Sequence, residues 1–131
     1  MKLTLKQLIV GSVALKRLGE KGVKILPYKI FYAVGKNIGH IDKEIDHYNK
    51  DYQRIVSEFS AEQPDGTFGV APKDVRVLNK VIEDAQAIEM DIPIMTLTLT
   101  EEIIEKAEIH ASDLAALDWM FVLPEEEKIN G

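Results

Sequence analysis

Residues 31–59 read FYAVGKNIGHIDKEIDHYNKDYQRIVSEF. Phe31, Val34, Ile38, Ile41, Ile45, Tyr48, Tyr52, Ile55 and Phe59 recur at alternating steps of three and four, a seven-residue repeat sustained along the whole stretch. The spacing predicts one long helix with a coiled-coil seam. Pro27 opens it, because a missing N–H has no partner in a first turn anyway. Unbroken, the helix runs for about 33 residues and about 50 Å. Gly35 and Gly39 lower its propensity by about 1 kcal/mol each relative to Ala, which reads as a close helix crossing or a slight bend.

A seam that long needs partners along its length, and the flanking sequence sets what is available. Upstream, Thr4 is placed to cap a first helix of about 14 residues, striped by Leu5, Leu8, Ser12, Leu15 and Leu18 and ended by Gly19 and Gly22. Met1-Lys2 and the run Leu8 to Leu15 imitate a signal peptide, but the stripe marks a helix instead. No run approaches the roughly 18 apolar residues of a membrane span. The first helix is about half as long as the second. The rest of the seam therefore falls to C-terminal elements or to another subunit.

Downstream, Pro64-Asp65-Gly66 signals a tight turn, Thr67 to Val70 an extended piece, and Pro72 the start of a third helix bearing Val75, Leu78, Ile82 and Ala85. The period then changes. Met95, Leu97 and Leu99 alternate with Thr96 and Thr98, which predicts a half-buried strand, with Pro93 suggesting an edge position. Thr100 with Glu101 and Glu102 opens a short helical turn. Ser112-Asp113 is placed to cap a last helix carrying Leu114, Leu117, Trp119 and Met120. The expected architecture is a single α+β domain, predominantly helical: a helical hairpin over 1–60, a helix-strand-helix module over 61–123 and an acidic tail over 124–131.

Charge is distributed unevenly. The net −6 of the 131 residues combines a basic segment, 1–36, holding eight Lys or Arg against Glu20 alone, with an acidic remainder. Such polarity fits contact with the chain's own acidic part or head-to-tail packing of copies better than a nucleic-acid arm, because the acidic remainder repels phosphates and the basic residues show no reading motif and no interleaved aromatics. No Cys is present, so thiolate nucleophiles and Cys-type zinc sites are excluded.

The remaining chemistry is sparse. His40, Glu44, His47 and Asp51 fall three or four residues apart, and Glu44-x-x-His47 matches half of a di-iron bundle motif. The heptad puts this stripe on the polar side of the seam, and His110 has Ala107 three residues before it, so no second half-motif exists. Neither a metal nor any other cofactor is expected. Ser12, Ser57, Ser60 and Ser112 lie in no nucleophile elbow, and no carboxylate pair has a sequence reason to share a cleft. The expectation is a non-enzyme.

The stretches LPYKIFYAVGKNIGHIDKEIDHYNKDYQRIVSEF, PDGTFGV, IPIMTLTLTEE and ASDLAALDWMF, in that order, resemble a family of small tailed-phage and prophage proteins of unassigned function, over about residues 5 to 122. The resemblance implies a tailed-phage origin, hence the host cytoplasm or the virion, and carries over no functional residue. With the seam and the charge polarity, the expected function is protein–protein interaction, as a virion or assembly component, in a homo-oligomer or with another phage or host protein. The alternative is an inhibitor of a host defence enzyme that binds through carboxylates such as Glu101 to Glu108 and Glu125 to Glu127. The candidate contact residues are Tyr48, Tyr52, Ile55 and Phe59 on the seam, Lys16, Arg17, Lys21 and Lys24 on the basic segment, and Trp119 and Phe121 near the C-terminus.

Overall fold

The computed structural model describes residues 1–122 and is predominantly helical, with small strands. Its elements are β1 (Lys2–Thr4), α1 (Leu5–Glu20), α2 (Tyr28–Phe59), β2 (Ser60–Glu62), β3 (Phe68–Val70), α3 (Pro72–Gln86), β4 (Glu89–Asp91), β5 (Leu97–Thr98), α4 (Glu101–Lys106), α5 (Ala111–Ala116) and β6 (Phe121–Val122). The expected tail, Pro124 with Glu125 to Glu127, lies outside the described residues.

Local chemistry accounts for most boundaries. The Thr4 hydroxyl accepts from the Gln7 N–H at 3.2 Å, and the Gln7 side chain accepts from the Thr4 N–H at 2.8 Å. This reciprocal box satisfies two donors that the start of α1 would otherwise leave unpaired. The helix continues through Gly19 to Glu20, two residues further than expected, and is ended by Gly22 in the left-handed region at φ +74°. The Pro27 carbonyl accepts from Ile30 and Phe31, both at 3.0 Å, to begin α2.

The long helix is unbroken across Gly35 and Gly39. The close crossing expected there is absent: a Cβ built on either glycine meets nothing within 4 Å. The tight approach lies elsewhere, at Gly11 of α1. A Cβ there would sit 2.8 Å from the Trp119 ring, so α1 and the chain after α5 close on each other only because position 11 has no side chain.

The seam is shared between two shorter helices laid end to end. α1 packs along the first part of α2, with Lys16 reaching Asp42 at 3.0 Å and Gly19 against Val34. α3 packs against the second part, where Gln86 donates to the Tyr48 hydroxyl at 3.1 Å. The two shorter helices meet near the Leu5 N–H, which donates to the Ile88 carbonyl at 3.1 Å. Adjacent to this junction β1 pairs antiparallel with β4, setting Leu3 opposite Met90. The helix-strand-helix module is thus tied into the hairpin at the first residues of the chain.

One core results, running from Leu3 to Met120 and including Leu8, Leu15, Ile41, Leu97, Leu99 and Leu117. The strand expected over 95–99 is shorter, β5, and pairs in parallel with β6, with Leu97 opposite Phe121. Leu97 and Leu99 point inward as the alternation predicts, but Met95 is exposed. The last helix also differs. His110 occupies the cap position, Ser112 and Asp113 fall inside the first turn, and Trp119 and Met120 lie beyond the helix end.

Candidate functional site

On α2 the observed buried face departs from the simple heptad at its start. Phe31 is exposed, whereas Ile30, Ala33, Val34, Asn37 and Ile41 are buried. These residues meet two neighbours: α1 on one side, and the chain around β5 on the other. Asn37, fully enclosed, explains the second contact. Its Nδ2 donates to the Met95 carbonyl at 2.9 Å and its Oδ1 accepts from the Met95 N–H at 2.8 Å. The side-chain amide thereby imitates a strand partner and holds the extended chain against the helix. Sequence reading missed this residue, whose only signal is a polar side chain one turn before Ile41 on the same face.

Beyond Ile41 no residue of α2 is fully buried, and Leu78 is the only buried residue of α3. Tyr48, Ile55 and Phe59 are half-buried, and Tyr52 is 41% exposed, with its ring centroid 6.0 Å from that of Tyr48. Val75 and Val77 of α3 are also exposed. The arm ends in the β2–β3 hairpin, paired antiparallel with Ser60 opposite Val70. Its turn is shaped by Gly66 at φ +86° and by Asp65, whose carboxylate accepts from the Thr67 hydroxyl at 2.6 Å and N–H at 3.0 Å. The hydroxyl bond holds the Asp65 carboxyl below its usual range. Phe68 projects from the hairpin 78% exposed.

The basic segment divides by use. Lys16 pairs with Asp42, and Arg17 pairs at 2.8 Å with Asp113, whose carboxylate is largely buried. Lys21 and Lys24 are exposed and make no ion pair among the described residues. Two other lysines of this segment, Lys16 and Lys36, come beside aromatic side chains where the hairpin folds. Tyr28, Phe31 and Tyr32 cluster where α1 ends and α2 begins, around an open, mainly apolar groove of about 680 Å³ also lined by Lys16, Val34 and Lys36. Lys36 Nζ lies 5.7 Å above the Tyr32 ring, and the Tyr28 and Tyr32 rings are 6.2 Å apart.

The expected contact residues therefore form no single surface. Tyr48, Tyr52, Ile55 and Phe59 line the arm, and Lys21 and Lys24 mark the opposite end. Trp119 packs over Gly11 and against the core, and Phe121 is held by pairing with β5. His40 and His47 are exposed, as the heptad requires. His47 lies 3.5 Å from Asp51, which also accepts from Arg54 at 2.7 Å. That guanidinium bond is the main reason the Asp51 carboxyl titrates below its usual range. Among the described residues no group of three or more His, Asp or Glu is placed to hold a metal ion, and no helix is long and apolar enough to cross a membrane. Comparison with protein-family models, curated proteins and solved structures finds no match for the chain.

Proposed function

We propose that this chain is a non-catalytic protein–protein interaction component of a tailed phage, acting in the virion or in its assembly in the host cytoplasm. The observation that carries the reading is the α2–α3 arm: two helices stand against each other with half-buried seams, and Tyr52, Val75 and Val77 remain exposed. Two helices alone leave the outer flanks of each apolar stripe in water, and a third surface is the physical remedy. The order of helix and turn signals resembling phage proteins supplies the setting. Mass spectrometry of purified virions tests it for a structural part, and co-purification with capsid, neck or tail proteins from infected cells tests it for an assembly factor. A chain absent from both overturns the reading.

A second reading rests on α4, where Glu101, Glu102 and Glu105 are exposed and form no ion pair among the described residues. An acidic surface of this kind suits an inhibitor that occupies the basic cleft of a host defence enzyme. Replacing these three residues with Gln would then abolish capture of the host enzyme while leaving virion incorporation untouched.

A further inference from the structure

The two most exposed large apolar side chains of the described residues, Phe68 at 78% and Tyr28 at 69%, stand at opposite ends of α2. Their surroundings are opposite in both shape and charge. Phe68 is a protrusion on the β2–β3 hairpin, and residues 57–70 around it contain Glu58, Glu62 and Asp65 and no basic residue. Tyr28 belongs to a recess, the groove lined by Phe31, Tyr32 and Lys36. Residues 16–36 at that end contain six Lys or Arg against Glu20. Of these, Lys21, Lys24, Lys29 and Lys36 make no ion pair among the described residues, and neither do Glu58 and Glu62.

We propose that the groove of one copy receives the β2–β3 tip of a second copy, with Phe68 entering among Tyr28, Phe31 and Tyr32 while Glu62 and Asp65 approach Lys36 on the groove wall and the basic segment around it. The contact names the partner within the interaction reading above and rests on it. A groove of about 680 Å³ falls among sites that enclose whole small ligands, so one phenyl ring and its neighbours fit. An aromatic anchor entering an apolar pocket is the usual anatomy of an energetic hot spot, and of the groove's charged lining, Lys16, Glu20 and Lys36, only Lys36 is a cation without an ion pair among the described residues. One chain cannot close this contact on itself, because the groove lies along the first turns of α2, as far as Ile38, and the hairpin follows Phe59, so about 30 Å of helix separates them. The contact is therefore heterologous. Repeated from copy to copy it generates a ring, or an open filament where the rotation does not close.

Sedimentation velocity from micromolar to near-millimolar protein tests the contact. The wild-type chain is expected to form species larger than a dimer, weakening as salt screens the lysines. Phe68→Asp removes the knob at an exposed position. Gly35→Glu puts a carboxylate into the groove wall, where nothing lies within 4 Å of the new Cβ. Each variant alone is expected to be monomeric, with association weakened roughly tenfold or more and with wild-type helicity by circular dichroism. Mixed, they keep one intact groove and one intact knob between them, so they form a one-to-one heterodimer and nothing longer. Phe68→Ser repeats the knob test should Phe68→Asp disturb the hairpin. A wild-type chain that stays monomeric throughout, association that survives loss of Phe68, or a mixture that stays monomeric overturns the contact. Protein found in purified virions alongside any of these results would leave the interaction reading standing and remove this contact alone.

Discussion

The two halves of α2 carry the same heptad, yet the structure treats them differently. In the proximal half the helix lies between α1 and the chain around β5, and Ile30, Ala33, Val34, Asn37 and Ile41 are buried. In the distal half α3 and β3 are the main neighbours, Ile45 and Tyr48 reach the edge of the core, and every seam residue from Ile45 onward keeps some contact with water. A helix with neighbours on two sides buries a broad face. With one neighbour it buries a line and leaves both flanks wet. The lesson is that periodicity identifies which face is apolar, whereas the number of neighbours decides how much of that face contributes to stability.

Substitutions test this difference. Ile41→Ala, in the doubly covered half, is expected to cost about 2–5 kcal/mol in urea unfolding. Ile55→Ala in the arm should cost about 1 kcal/mol, and equal losses would refute the contrast. Asn37→Leu removes both bonds to Met95 and is expected to cost about 1–3 kcal/mol. It should also raise hydrogen exchange around residues 92–96 while leaving the β2–β3 hairpin unaffected.

Arg17→Ala leaves the largely buried Asp113 carboxylate without its cation. Because the Arg17 side chain is itself more than half exposed, the loss is expected to be about 1–2 kcal/mol, read from the shift in urea midpoint. Gly39→Ala should stabilise by up to about 1 kcal/mol, since it adds helix propensity at an exposed position with open space around it; a loss on thermal melting would mean a hidden contact.

The smallest effect concerns the surface carboxylates. Asp51, with its Arg54 partner, and Asp65, with its Thr67 bonds, have folded-state values depressed below those of the unfolded chain. Their contribution is therefore present above pH about 4 and fades as pH falls through the lower folded values. Asp51→Asn should leave the neutral-pH melting temperature nearly unchanged and slightly flatten its decline in acid.

Several features were legible because they depend on neighbours in sequence. Thr4 caps α1 through a bond to a residue three positions away, and Pro27 marks the start of α2, although it stands at the N-cap, just ahead of the first turn where it was expected. The apolar faces of α1, α2 and α3 repeat along the chain itself, as does the alternation of Leu97 and Leu99. The exposure of His40 and His47 follows from the same heptad. Other features were invisible. Asp113 resembles a cap until Arg17, 96 residues away, is brought beside it. Trp119 gives no sign that it rests on Gly11. β1 and β4, at opposite ends of the α1–α3 stretch, are too short to announce themselves. The apolar groove exists only once the connector folds back and sets the aromatics of α2 among the lysines.

The three longer helices, their apolar faces and the segregation of charge follow from the order of residues alone, since each arises from spacing and from side-chain chemistry within a few turns of backbone. It was long-range packing that laid α1 and α3 in tandem along α2, clamped Asn37 onto Met95, and left an exposed Phe68 and an apolar groove at opposite ends of α2. Those outcomes depend on which surfaces meet across tens of residues, and such meetings are selected by the packing of the whole core, which no local pattern records.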